Sequence, residues 1–347
     1  MFFIYNLQSV FKMSGTLKRN FPQSADGKPA VYVIYENEEW LIPLREAFEE
    51  LGVPFEEWFI NEGSLSLDAV PPKGVFYNRM SASSHNRSHR YAVELTGPVL
   101  AWLQSHGRNV VNGRRALQLE VRKFEQYLSL QIHGVKTPKT IAATGKNEII
   151  RAARSLDQTP FILKPNRGGK GQGVELFRTI EELENRLNEN EQLSLDGISL
   201  VQEYIKPYND TITRLEFIDG TFFYGVQVDT SEGFELCPAD SCAVGEEFCP
   251  APGEALKHKF AILDDFQDPD LISRLEDFLA ANDIKVGAAE FVENESGERF
   301  VYDININTNY NRQAEINAGD KKRAMLEVAR FLGKQLEEEY QVLSSEY

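Results

Sequence analysis

Positive charge, cysteine and long apolar runs are what this chain has least of. Of its 347 residues, 53 are acidic and 37 basic, a net charge of -16. Such a surface repels phosphate backbones and anionic lipid, which argues against a nucleic-acid or membrane partner, although local basic clusters can still hold anions. No apolar run approaches the ~20 residues that span a bilayer. The three cysteines, Cys237, Cys242 and Cys249, crowd into one stretch without CxxC spacing. Neither a disulfide framework nor an ordinary zinc site is indicated, and a reducing cytoplasm is the default location. Acidic residues are missing altogether before Asp26, in a leader that carries Lys12, Lys18 and Arg19. It is neither arginine- nor serine-rich, so residues 1–28 read as a dispensable extension, with organellar targeting the lesser alternative.

What remains is ample for folding. An apolar fraction of 42% and an aromatic fraction of 11% supply cores for two or three packed modules. From residue 28 strands and helices alternate. VYVIYE (31–36) reads as a strand, 38–52 as an amphipathic helix stopped by Gly52, then come strands at Phe55–Ile60 and GVFYNR (74–79). A helix over 91–106 and a strand NVVN (109–112) follow, which implies a small parallel sheet faced by helices. One helix is expected from Leu117 to His133, ended by Gly134 and Pro138. Beyond it lie helices near 146–156, 179–190, 268–282 and 321–339. Strands are expected at 161–164, 174–177, 199–205, 212–218, 221–228, 286–292 and 299–306. No internal repeat is visible.

The segment FILKPNRGGKGQGVELF (161–177) carries the first chemical signal. Its glycines let a backbone approach phosphate oxygens and present N–H groups to them. It is not a Walker loop, because no glycine stands five residues before Gly169 and no Ser or Thr follows Lys170. Strand–glycine loop–strand describes a hairpin flap able to fold over a triphosphate, with Lys164 and Lys170 meeting the charge. A flexible surface hairpin is the plain alternative. The second signal is a pair of strands, VGAAEFV (286–292) and FVYDININ (300–307). A two-residue turn at Ser296-Gly297 makes residues whose numbers sum to 593 face each other, so Glu290 opposes Asp303 and Asn305 shares their side. Two carboxylates opposed at ~5 Å repel unless a cation intervenes, and such oxygen ligands suit Mg²⁺. Apolar neighbours on both strands argue against a merely solvated acidic face. VQEYIKPY (201–208) is a strand end that could offer backbone groups to a base edge.

In order and spacing these motifs resemble the ATP-grasp ligases, most of all their RimK-like and glutathione-synthase-like branch, over residues 30 to 338. RKFEQYLSLQIHGVKTPKT (122–140) is similar to the family's stretch of lysine, helix, glycine and Pro-x-Thr. The resemblance implies that Lys123 and Lys164 bind nucleotide. It makes Gly168, Gly169, Lys170, Gly171 and Gly173 the phosphate flap, and Gln202, Glu203, Tyr204 and Ile205 the adenine hinge. Glu290, Asp303 and Asn305 would hold Mg²⁺, two ions in all. Arg214 and Lys164 would act on the transferring phosphoryl group. Arg79, Arg87, Arg90 and Arg312, with Asn307, are candidates for gripping substrate carboxylates, since a guanidinium matches that planar group.

The implied fold is α/β. Residues 1–28 are an extension, 29–115 a small parallel domain, 116–200 and 201–340 two α+β subdomains that clasp ATP, and 341–347 a tail. The implied activity is ATP- and Mg²⁺-dependent joining of a carboxylate to an amine through an acyl phosphate, on amino acids or small peptides, in a chain that could form homodimers. Two departures stand against a glutamate-adding specificity. FELCPADSC (234–242) replaces the family's arginine- and asparagine-containing substrate loop, and Ile212 stands where an acid usually precedes the strand arginine. A ligase acting on a protein or ribosomal peptide terminus, and a catalytically silent nucleotide-binding scaffold, remain open beside the small-molecule reading.

Overall fold

The structure, a computed structural model, describes residues 27–169, 171–189, 194–231 and 259–344. The leader, Lys170 and the segment with the three cysteines lie outside them. Among the described residues no helix is long and apolar enough to cross a membrane.

The chain first builds β1 (Ala30–Tyr35), α1 (Glu38–Leu51), β2 (Phe55–Phe59), β3 (Gly74–Asn78), α2 (Ala92–Ser105) and β4 (Asn109–Val111). The strands pair in parallel in the order β2-β1-β3-β4. All six residues of β1 are buried, as expected of a central parallel strand covered on both faces. Asn37 starts α1 by accepting from Glu39 and Trp40 backbone N–H groups at 3.1 and 3.3 Å, and left-handed Gly52 ends it. Gly74 is needed where β3 meets β1, since a Cβ there would lie 2.1 Å from the Ala30 carbonyl oxygen.

The helix expected over 117–133 is in fact two, α3 (Arg114–Glu120) and α4 (Lys123–Ile132). The break falls at Arg122, whose φ of -139° and ψ of 79° are not helical. A second sheet then forms from β5 (Thr140–Ala143), β6 (Phe161–Pro165), β7 (Glu175–Phe177) and β8 (Ser199–Glu203), with α5 (Lys146–Leu156) and α6 (Ile180–Glu189). It is antiparallel, in the order β5-β8-β6-β7, and has its own core around Ile149, Phe161, Leu183 and Val201.

The third sheet, β11-β10-β9-β12-β13, is also antiparallel. Its strands are β9 (Thr211–Ile218), β10 (Thr221–Asp229), β11 (Phe260–Leu263), β12 (Val286–Glu293) and β13 (Arg299–Asn305), joined by α7 (Pro269–Ala281) and followed by α8 (Arg312–Asn317) and α9 (Ala324–Ser344). Packing crosses the order of the chain. Leu119, Tyr127 and Leu130 of α3 and α4 share the third sheet's core with Phe217, Phe278 and Ile304. Helix α9 returns to the first sheet, setting Val328 and Leu332 in a core with Val31, Leu44 and Phe48.

Candidate active site

The second and third sheets face each other across a pocket. One wall is a row across three neighbouring strands, with Arg214 of β9 paired to Glu290 of β12 and Glu290 paired to Asp303 of β13. The carboxylates therefore oppose each other as the hairpin register requires, by a route the sequence did not show. The turn spans Asn294–Glu298, closed by the Asn294 N–H on the Glu298 carbonyl at 3.0 Å, and is one residue longer than the expected tip. From the tip to Phe291 the paired numbers sum to 592, as in Glu293 with Arg299. A bulge between Glu290 and Phe291 then restores 593, with Tyr302 as the extra residue.

Glu290 is 3% exposed. Its Oε1 accepts from Arg214 Nη1 at 2.9 Å and from Asn305 Nδ2 at 3.0 Å, which brings the third expected ligand onto the same side. Burial pushes the Glu290 carboxyl above its usual range; Arg214 pulls it back, and Asp303 pushes it further up. Arg214 also donates through Nε to Glu216 Oε1 at 2.5 Å and through Nη2 to the Thr308 hydroxyl, which in turn donates to Glu216 at 2.8 Å. Both Glu216 and Thr308 are buried, so the guanidinium is fixed on the strand face.

The split between α3 and α4 places Lys123 at the first position of a helix. Asn166, just past β6, satisfies that helix end: its carbonyl accepts from Lys123 N at 3.1 Å and its Oδ1 from Phe124 N at 3.0 Å. Lys123 Nζ pairs with Asp303 Oδ1. Burial opposes its charge, but Asp303, Glu120 and Glu290 together hold its pKa above the ordinary value. Lys164 of β6 is 6% exposed, and its Nζ donates to the Tyr127 hydroxyl at 2.6 Å. Here burial wins, helped by the nearby Lys123, and the pKa is pushed down to about 7. Glu120, at the end of α3, also lines the pocket; it accepts from the backbone N–H groups of Ile306 at 3.0 Å and Ala82 at 3.4 Å. Burial raises its pKa to about 7.

The glycine segment is a hairpin between antiparallel β6 and β7. Gly168, Gly169 and Gly171 line the pocket. Gly171 and Gly173 have φ of 69° and 74°, in the left-handed region, so the loop can fold back on Pro165. A Cβ on Gly169 would lie 3.2 Å from that of Ser83, which shows how closely the flap meets the first domain. Arg167 at the flap's root reinforces that approach by pairing with Glu94 of α2 at 2.5 Å. Opposite, Gln202, Glu203, Tyr204 and Ile205 line the pocket together with apolar Ile162, Leu176 and Val292. Glu203 Oε1 accepts from Lys139 N at 2.7 Å, tying the end of β8 to the chain before β5.

Not every residue singled out in the sequence reaches this pocket. Arg87 binds buried Glu36 and lies 4.9 Å from the Trp40 ring, so it braces the pocket's edge. Arg90 faces Glu94 at 3.9 Å on an exposed helix start. Arg312 is half-exposed and pairs with Asp320 at 2.5 Å. Asn307 lines the pocket, and Arg79 sits buried behind it. Trp40, Ser81, Ser83, Glu120 and Asn309 line the pocket without having been anticipated. Of these only Asn309 had a readable signal, the alternation Asp303, Asn305, Asn307, Asn309.

Oxygen and nitrogen donors dominate the site, and among the described residues no cluster of three or more His, Cys, Asp or Glu side chains could hold a metal by itself. Two carboxylates and an amide leave coordination positions for oxygens of a ligand, which fits a hard divalent cation. No protein-family model and no curated protein matches the chain. Solved structures do. D-cycloserine synthetase DcsG is similar with a TM-score of 0.62 at 15% identity, covering 88% of this chain and 100% of that one. The RimK domain protein ATP-grasp from Sphaerobacter thermophilus DSM 20745 aligns with a TM-score of 0.58 at 17% identity, over 88% and 99% of the two chains. The ATP-grasp ligase PsnB, complexed with a minimal precursor, aligns with a TM-score of 0.63 at 14% identity over 89% and 99%. The architecture of this chain is the ATP-grasp fold of these structures.

Proposed function

We propose that the protein is an ATP- and Mg²⁺-dependent ligase that joins a carboxylate to an amine. The observation that carries this reading is the convergence of Lys123, Lys164 and Arg214 with the opposed Glu290–Asp303 pair beneath a glycine flap, in one pocket. A substrate carboxylate would attack the γ-phosphorus of ATP to give an acyl phosphate and ADP, and an amine would then displace phosphate to form the amide. Little covalent work falls to the protein in such a transfer; positioning and charge neutralisation dominate. Lys164, the flap amides and Lys123 would meet the phosphates. Arg214, locked by Glu216 and Thr308, would face charge as it develops on the transferring group. Glu290, Asp303 and Asn305 would hold Mg²⁺, which would supply positive charge against that of the phosphates. Ile162, Leu176 and Val292 make an apolar slot suited to a flat base beside the 202–205 hinge.

Two of the similar structures support a peptide as one of the substrates, beside the small-molecule reading. PsnB is described in complex with its precursor peptide, with AMPPNP, and with Mg and ADP, and the macrocyclase MdnC is described with precursor peptide MdnA. The test of the ligase is ADP and phosphate release with Mg²⁺ and ATP, screening amino acids and short peptides singly and in pairs, with mass spectrometry of the products. ADP formation that requires an acid–amine pair, with a product one water lighter than the sum, is the expected result. Tight ATP binding with no turnover across amino-acid and peptide panels would overturn it in favour of a silent nucleotide binder.

A further inference from the structure

From Asp303 the chain reads DININTNYN. Asp303, Asn305, Asn307 and Asn309 all line the pocket, while the intervening Ile304, Ile306 and Thr308 are buried. The two-residue alternation of a strand thus continues past the end of β13, and its last two members have no part in the metal site. Arg79 packs behind them. It is 3% exposed and donates through Nε to Asn307 Oδ1 at 3.1 Å, and through Nη2 to Asn309 Oδ1 at 2.8 Å and the Thr308 carbonyl at 3.1 Å. A guanidinium has donors only, so the oxygen of each amide must be the atom that faces it. Both NH₂ groups are consequently directed away from Arg79, on side chains that line the pocket.

Charge makes the same point independently. Arg87, Arg90, Arg167, Arg214 and Arg312 each face a carboxylate. Among the described residues Arg79 faces none, and its Nη1 is buried with no hydrogen-bond partner. A buried cation without a counter-charge is costly, and an anion bound close by would relieve that cost.

We infer that the side-chain amides of Asn307 and Asn309 form a paired donor site for an oxyanion, a carboxylate or a phosphate, and that Arg79 is the positioning residue that orients them. Arg79 grips the amides, and the amides grip the anion. The inference rests on the proposed ligase only for the natural ligand, which would be the acid substrate's carboxylate or the phosphoryl group transferred to it.

The test is an NMR titration of protein labelled with ¹⁵N-asparagine, with sodium acetate, inorganic phosphate and sodium chloride added separately at matched ionic strength. It is run with and without Mg-ADP. Spectra of Asn307→Leu and Asn309→Leu identify the two side-chain NH₂ signals. Those signals should shift together and saturably with acetate or with phosphate, and not with chloride. Asn309→Leu should weaken that anion about tenfold, the loss expected for one hydrogen bond to a charged acceptor. Arg79→Lys, which keeps the charge and loses the fork, should move the free positions of both amide signals as well as weaken the anion, which a merely structural arginine would not do. Saturation by acetate alone marks a substrate carboxylate, and by phosphate alone a phosphoryl subsite. Equal shifts with all three salts, or no shift with any, overturn the proposal; should Asn309→Leu fail to fold, the titration of the unsubstituted protein still decides. ADP affinity is read from the same samples. Its absence would sink the ligase while leaving the amide result to stand or fall alone.

Discussion

At Lys164 the protein holds an amine whose charged form is disfavoured by burial. With a pKa near 7 set by burial and by Lys123, the side chain is largely neutral at pH 8. A triphosphate beside it would raise that pKa, so nucleotide binding at pH 8 should take up about one proton from solution, and the uptake should fade below about pH 6, where the lysine is already charged. Titration calorimetry with AMPPNP and Mg²⁺ in two buffers of different ionisation enthalpy reads the uptake directly, and Lys164→Met should abolish it. The same variant should lower turnover by about 10²–10³-fold without lowering the melting temperature, because a buried lysine whose pKa is depressed on folding costs stability at neutral pH and supplies none. Undiminished turnover would remove Lys164 from the phosphate site. Asp303 is the opposite case, a carboxylate already matched by Lys123. Asp303→Asn should raise the Mg²⁺ concentration needed for half-maximal turnover by about tenfold or more, and an unchanged requirement would take it out of the metal set.

Elements explain why those side chains meet, and also where sequence reasoning stopped. The Glu290–Asp303 opposition was legible because strand alternation is strict, yet the expected turn was one residue too short. The bulge at Tyr302 compensates for it, and nothing in the residues themselves announces it. The break between Glu120 and Lys123 was not legible either: apolar periodicity runs through it, and Asn166, which caps the second helix, lies far along the chain. Its loss therefore offers a measurement. Asn166→Ala removes the acceptor for Phe124 N and the Nδ2 donor to Asp196 at 2.7 Å. It should cost about 1–2 kcal/mol in urea unfolding, and weaken nucleotide binding because Lys123 is the first residue of the helix so capped. Full stability with normal binding would show that the cap does not set the lysine's position. At the flap, Gly173→Ala meets both a φ of 74° and Pro165 Cδ at 3.2 Å. The expected outcome is a raised KM for ATP, since ~1–2 kcal/mol of left-handed strain would disfavour the folded-back hairpin that lines the pocket.

Across the whole molecule the three sheets are not equal partners. The first and third share a core, in which Val31, Leu44 and Phe48 pack with Tyr224, Val286 and Val328, and α9 stitches the C-terminal end of the chain onto the first sheet. The second sheet has a core of its own, sends Leu200 and Ala142 toward the third sheet's core, and meets the first domain through contacts such as Arg167–Glu94 and Gly169 against Ser83. Lys164 belongs to the second sheet, whereas Arg214, Glu290 and Asp303 belong to the third, so any ligand that touches both must tie the two more tightly together. Hydrogen exchange should accordingly show α5, α6 and β6–β7 opening as a unit of lower stability than β9, β12 and α9. Saturating AMPPNP and Mg²⁺ should slow exchange in β6–β7 far more than in α9, by up to about 2.7 kcal/mol of added protection at a hundredfold excess over Kd. Glu94→Gln, which removes the counter-charge of Arg167 at the flap's root, should speed exchange at 166–174 in the ligand-free protein and lose most of that effect once nucleotide is bound. Equal protection of all three sheets without nucleotide, or a nucleotide effect spread evenly over them, would mean that the second sheet is not a closing lid and that the pocket is preformed.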